Sequence, residues 1–149
     1  MAGESRGATF HGMPIGPDDG NAILKDNFAP WVTDLGLVVT EVGPDHATLR
    51  LPWSDRLARE GGALSGQAMM AAADTATVIA ISSARGAYGP MTTVAQSTTF
   101  QRPIAGQDVL VTARITKIGR TLAFADIDLV GGTDGALAAR ATTVYAILG

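Results

Sequence analysis

Residues 63–84 read ALSGQAMMAAADTATVIAISSA, and the architecture of the chain turns on them. Seven of the nine residues from 68 to 76 are Ala or Met, which favour helix. Ser65 stands ahead of the run as an N-cap, and Gly86, Gly89 and Pro90 follow as stop signals. The pattern predicts one long helix, apolar nearly all round. Its length invites comparison with a membrane span, but Asp74 sits in the middle. A carboxylate there costs about 2.5–3.5 kcal/mol in a bilayer. The expectation is a helix at the centre of a soluble, cytoplasmic domain.

The flanking segments read as strands. Residues 35–42 form one strand, Gly43-Pro44-Asp45 supplies a turn, and residues 46–53 alternate Ala47, Leu49, Leu51 against His46, Thr48, Arg50. The two suggest a hairpin. Downstream, residues 91–101, 108–118, 121–130 and 136–148 read as four further strands, the last three separated by Gly119-Arg120 and the glycines of 131–135. Upstream, residues 21–31 suggest a short helix ended by Pro30. Residues 1–20, with five Gly and two Pro, read as a mobile leader. Strands in runs with segregated helices imply an α+β fold: one domain over 21–149, with a mainly antiparallel six-stranded sheet wrapped around the long helix.

Composition narrows the chemistry. The 149 residues suit a single domain. The net charge of −3 offers no basic excess for nucleic acid. There is no Cys, hence no disulfide, thiolate nucleophile or zinc–thiolate site. The two histidines, His11 and His46, argue against a multi-imidazole metal centre, so no metal or cofactor is expected. Both histidines read as structural or solvated. Chemistry must therefore rest on carboxylates, hydroxyls and backbone amides.

Two features suit such chemistry. Residues 60–67, EGGALSGQ, lead into the helix, whose first N–H groups can face a carbonyl oxygen. Gly66 would let a substrate come close to that backbone; the plainer reading is a glycine turn. Asp74 is either a general base, a satisfied structural carboxylate or a charge at a dimer edge. Ser65 and Asp74 are nine residues apart, on opposite helix faces and separated by about 13 Å along the axis. One helix cannot aim both at one carbonyl, but two antiparallel copies can. Met69-Met70, Trp31 and Trp53 read as core or interface residues. Asp126 and Asp128, two apart on a strand, read as solvated or inter-subunit charge.

Order and spacing over residues 35–147 resemble the hotdog-fold acyl-CoA thioesterases of the phenylacetate-degradation subgroup. Where that family has His-Gly-Gly and an acidic residue nine positions later, this chain has Ser65-Gly66-Gln67 and Asp74. Thr93 precedes Phe100 by seven residues, Gln101-Arg102-Pro103 follows, and Lys117-Ile118-Gly119-Arg120 matches a Gly-Arg turn. The family's upstream Asn falls at Arg59. The resemblance implies a homodimer or homotetramer that hydrolyses acyl-CoA across the subunit interface. It gives catalytic roles to Gly66 (carbonyl polarisation), Asp74 (nucleophile or base), Thr93 (water placement) and Ser65 (capping, with a bond to substrate or water). Arg59, Gln67, Arg102, Lys117, Gly119 and Arg120 would contact substrate or CoA. With Ser in place of His, a non-catalytic acyl-CoA binding protein is the alternative it leaves open.

Overall fold

The computed structural model describes residues 14–149; His11 lies outside them. The elements are α1 (Pro17–Asn27), α2 (Pro30–Thr33), β1 (Val38–Val42), β2 (His46–Leu51), a 3-10 turn (Asp55–Leu57), α3 (Gly66–Arg85), β3 (Met91–Phe100), β4 (Val109–Ile118), β5 (Leu122–Gly131) and β6 (Leu137–Ile147). The strands form one antiparallel sheet in the order β1-β2-β4-β5-β6-β3. α3 lies against its inner face, as the α+β hotdog arrangement requires.

α3 begins and ends where the sequence indicates. Ser65 Oγ accepts from the Ala68 N–H at 3.2 Å, a cap that contributes about 1 kcal/mol. Gly86 closes the helix at φ 81°, a conformation glycine adopts without a Cβ penalty. Ala72, Ala73, Ala76 and Ala80 are fully buried against Ala47, Ala113, Ala139 and Ala141 of the sheet. Small side chains on both sides let the curved sheet come close to the helix. Leu49, Val111, Ile127, Leu129 and Ile79 are buried among them, each stabilising the fold by roughly 1.5–3 kcal/mol. No helix among the described residues is long and apolar enough to cross a membrane.

The amino-terminal helix differs from the sequence expectation at both ends. It starts at Pro17, within the segment read as leader, because Pro suits the first helical position and Asp18 and Asp19 complement the positive end. Asp19 Oδ2 also accepts from the Gly16 N–H at 2.8 Å. It stops at Asn27 rather than reaching Trp31. The residue before a proline avoids the helical region, so Phe28 and Ala29 are extended and Pro30 opens the separate turn α2. Trp31 on that turn is 62 % exposed, so it is not a core residue; Trp53 packs against the core. Met69 is buried and Met70 exposed.

β3 is an edge strand paired only to β6. Its register shifts between Thr93 and Ala95, and most of its residues are exposed. Thr93, Gln96, Thr98 and Phe100 oppose the inward-facing residues Tyr145, Thr143, Ala141 and Ala139 of β6.

Candidate active site

The loop into α3 is shaped by Gly61 and Gly62, at φ +94° and +91°, a region that only glycine enters without strain. It is closed by Arg59 N–H to Ala63 O at 2.7 Å and anchored by Leu64 N–H to Ile104 O at 2.7 Å. Ser65 uses its hydroxyl on Ala68 N–H and its carbonyl on Met69 N–H. The N–H groups of Gly66 and Gln67 are left with no acceptor among the described residues. They form the positive end of a helix about 30 Å long. A Cβ on Gly66 would lie 3.2 Å from Phe100 Cζ, so glycine preserves the approach to these donors.

Gly66, Phe100, Arg59 and Arg102 line one open cleft of about 410 Å³. Arg59 folds back so that Nη1 donates to Glu60 O at 2.9 Å. Ser65 and Gln67 instead line a neighbouring cleft beside Trp31. The first turn of α3 thus presents two faces, with Gly66 and the two arginines on one of them.

Asp74 lies two turns further along, half-buried between α3, β3 and β6. Thr93 Oγ1 donates to Asp74 Oδ1 at 2.9 Å. The Tyr145 hydroxyl is 2.5 Å from the same oxygen and 3.0 Å from the Asp74 carbonyl oxygen. Its one proton goes to the nearer, charged acceptor, within the range of charge-assisted O–H···O bonds. Asp74 Oδ2 accepts no hydrogen bond among the described residues. One oxygen is held and the other is open. Beneath the cluster, the buried Thr77 and Thr143 hydroxyls meet at 3.0 Å.

Tyr145 has no role in the sequence reading. A signal for it exists: an inward-facing row of Ala139, Ala141, Thr143, Tyr145 and Ile147 includes a phenol, and a buried phenol needs a polar partner. Burial and the Asp74 charge push the Tyr145 phenol well above its ordinary value near 10. Below about pH 10 both folded and unfolded chains keep this proton, so the group adds no pH dependence. Above that pH the unfolded chain loses it first, and stability falls as pH rises. Tyr145→Phe should remove that part of the alkaline loss. Urea midpoints at pH 8 and pH 11 should lie closer together in the variant than in the parent; an equal gap would contradict this assignment.

Lys117, Gly119 and Arg120 sit at the β4–β5 turn, all exposed, where Gly119 N–H donates to Leu122 O at 2.8 Å. Across the sheet, Thr93 is paired with Tyr145, Tyr145 with Ala123, and Ala123 with Ile118. The turn is therefore level with Thr93, three strand spacings or about 14 Å from it across the sheet. Arg59 and Arg102 are at the opposite end of β3. Within the chain, the described residues do not converge on a single site: Gly66 and Asp74 are separated by about 12 Å along α3. Asp128 pairs with Arg140 at 2.9 Å on the outer face, and Asp126 is exposed. No group of three His, Asp or Glu suited to a metal occurs among the described residues.

A family model described as the thioesterase superfamily matches residues 61–138, more than half of the chain, from the loop before α3 to the start of β6. No curated protein matches. Among solved structures, the Escherichia coli PaaI protein of the phenylacetic acid degradation operon is 19% identical, with TM-score 0.77, over 89% of this chain and 92% of that one. Zebrafish thioesterase superfamily member 2 is 24% identical, with TM-score 0.76, over 89% and 95%. A mutant of the phenylacetic acid degradation protein PaaI from Thermus thermophilus is 25% identical, with TM-score 0.71, over 80% and 100%.

Proposed function

Because the chain belongs to the thioesterase superfamily, we propose that it hydrolyses an acyl- or aryl-CoA thioester to the free acid and CoA, in a site shared by two copies. The observation that carries this reading is the Asp74 carboxylate, with Oδ1 fixed by Thr93 and Tyr145 and Oδ2 open. A base or nucleophile works best when its orientation is fixed before substrate arrives.

The second copy supplies the other half. β3 has a free edge and mostly exposed residues, the kind of edge that proteins normally cover or pair. Two β3 strands paired antiparallel about the bond between Gln96 and Ser97 would set Thr93 level with Phe100 of the second copy. Phe100 abuts Gly66, so the free N–H groups of one chain come to the Asp74 of the other. The thioester carbonyl oxygen accepts from Gly66 N–H, and Gln67 N–H lies next to it. As base, Asp74 Oδ2 takes a proton from water while the water oxygen bonds to the carbonyl carbon. As nucleophile, Oδ2 attacks that carbon itself and water cleaves the resulting anhydride. In both routes the C–S bond breaks and the thiolate leaves as CoA thiol, taking its proton from Asp74 once Asp74 holds the water's proton in the first route and from the water that cleaves the anhydride in the second. Thr93 donates a hydrogen bond to Asp74 and keeps lone pairs to accept from the water. Arg102 and Arg59 of one copy, with Lys117, Gly119 and Arg120 of the other, flank this centre as a cationic seat for the CoA phosphates. Ser65 and Gln67 shape the helix start. Pairing of two such dimers would give a tetramer.

A second reading, a non-catalytic acyl-CoA binding protein, is favoured by one observation. Ser65, which stands at the family's His position, has its hydroxyl engaged in the helix cap. Free-thiol release measured over a panel of aliphatic and aryl CoA esters separates the two. Turnover is the expected result. Saturable binding with no thiol release would replace hydrolysis with binding.

A further inference from the structure

The sheet has two edges, β1 and β3, and they are not alike. β3 is ten residues long. The hydrogen bonds of Thr93 and Gln96 run from their side chains to α3, and among the described residues no side chain bonds to the β3 backbone. β1 is five residues long, and its register shifts between Val39 and Glu41. One side chain of α1 occupies its outer side. Asn21 Oδ1 accepts from Val39 N–H at 2.8 Å, and Asn21 Nδ2 donates to Val39 O at 3.2 Å. A residue on a neighbouring antiparallel strand exchanges the same two bonds with its partner. The Asn21 carboxamide thus stands where the next strand would be. The approach is close because Gly20, beside it, carries no side chain. Gly20 is buried, and a Cβ there would lie 3.0 Å from both γ-carbons of Val39. Gly and Asn both weaken a helix interior relative to Ala, so this contact, not helix propensity, accounts for their place in α1.

We propose that Asn21 guards this edge: its carboxamide closes β1 against strand addition by a second copy of the chain, so that copies join along the sheet only through β3. The consequence is geometric. One open edge per chain lets two copies pair about a two-fold axis, and growth along the sheet then stops. Two open edges on opposite sides of one sheet would let each pair add further pairs, β1 to β1, without a stopping point. Without the carboxamide, the Val39 N–H and carbonyl would be left to seek another partner, and a second β1 offers matching groups. The proposal concerns assembly and holds whether or not the chain hydrolyses thioesters.

The test follows sedimentation and amide exchange in the parent, in Asn21→Ala, and in Asn21→Ala combined with Thr40→Lys. Thr40 is exposed on β1, and a lysine on an edge strand opposes pairing. Over about a hundredfold range of concentration the parent should sediment as one species of constant size. In Asn21→Ala the Val39 amide should exchange faster by about tenfold or more. The weight-average mass of that variant should at least about double across the same concentration range. Adding Thr40→Lys should return the mass to the parent value while the Val39 amide stays fast. An Asn21→Ala protein of parent size at every concentration would overturn the proposal. So would growth that Thr40→Lys does not stop, because it would come from unfolded chains and not from β1. A parent that sediments as a single chain would remove the β3 pairing and the shared site, while the comparison with Asn21→Ala would still decide what Asn21 does.

Discussion

Asp74→Asn is expected to lower thiol release roughly 10²–10⁴-fold, the usual contribution of a positioned base or nucleophile. The substitution exchanges one oxygen for an amide at nearly constant volume. The Asn carbonyl can still accept from Thr93 and Tyr145, the two donors that reach Oδ1 in the parent. The open position, Oδ2, becomes an NH₂ group that can neither take a proton from water nor attack a carbonyl. The effect should therefore fall on turnover, with thermal stability close to that of the parent. Parent-like kcat/KM in the variant would remove Asp74 from the mechanism. Loss of folding in the asparagine variant would instead show that the carboxylate is structural.

Gly66→Val should cost about as much as losing an oxyanion donor, roughly 10²-fold, for a different reason. The backbone N–H remains, but the new side chain occupies the approach to it. The added Cβ would meet the Phe100 ring at 3.2 Å. That ring is 47 % exposed in the single chain, so the chain's own fold should survive, and size-exclusion chromatography checks that the pairing of copies survives with it. A Gly66→Val protein that hydrolyses its best ester at the parent rate would contradict a carbonyl seat at the start of α3.

How far the sequence reaches depends on how local the determining forces are. The bounds of α3 follow from neighbours in the chain: Ser65 three residues before the Ala68 N–H that it caps, and Gly86 where a left-handed residue is needed. Strands β2, β4, β5 and β6 show their alternation because one face meets α3. α1 is harder to place because a proline can open a helix as well as end one. Pro17 and Pro30 both stand at first helical positions. β3 carries little periodicity, since most of it is exposed in one protomer.

The site follows the same division. Asp74 stands out as a carboxylate in an alanine-rich helix. Of its partners, Thr93 enters only through the family resemblance and Tyr145 not at all, because they reach it from 19 and 71 residues away. Tyr145 in particular looks like one more core residue until register sets it opposite Thr93. The availability of the Gly66 and Gln67 N–H groups is likewise set by which amides the cap consumes, and that only the hydrogen bonds reveal. The separation of Ser65 from Asp74 along the helix, however, is fixed by sequence spacing alone, and it is the reason the proposed site takes a residue from each of two chains.

The shared site is the central claim, and mixing two inactive variants tests it. Asp74→Asn and Gly66→Val chains, unfolded together and refolded at equal concentration, should form mixed dimers at the statistical share. Each mixed dimer pairs an intact Asp74 from one chain with an intact Gly66 from the other at one of its two sites. Thiol release should then recover to about a quarter of the parent rate. If each chain instead built its own complete site, the mixture would stay as inactive as either variant alone, and the interface-shared mechanism would be wrong.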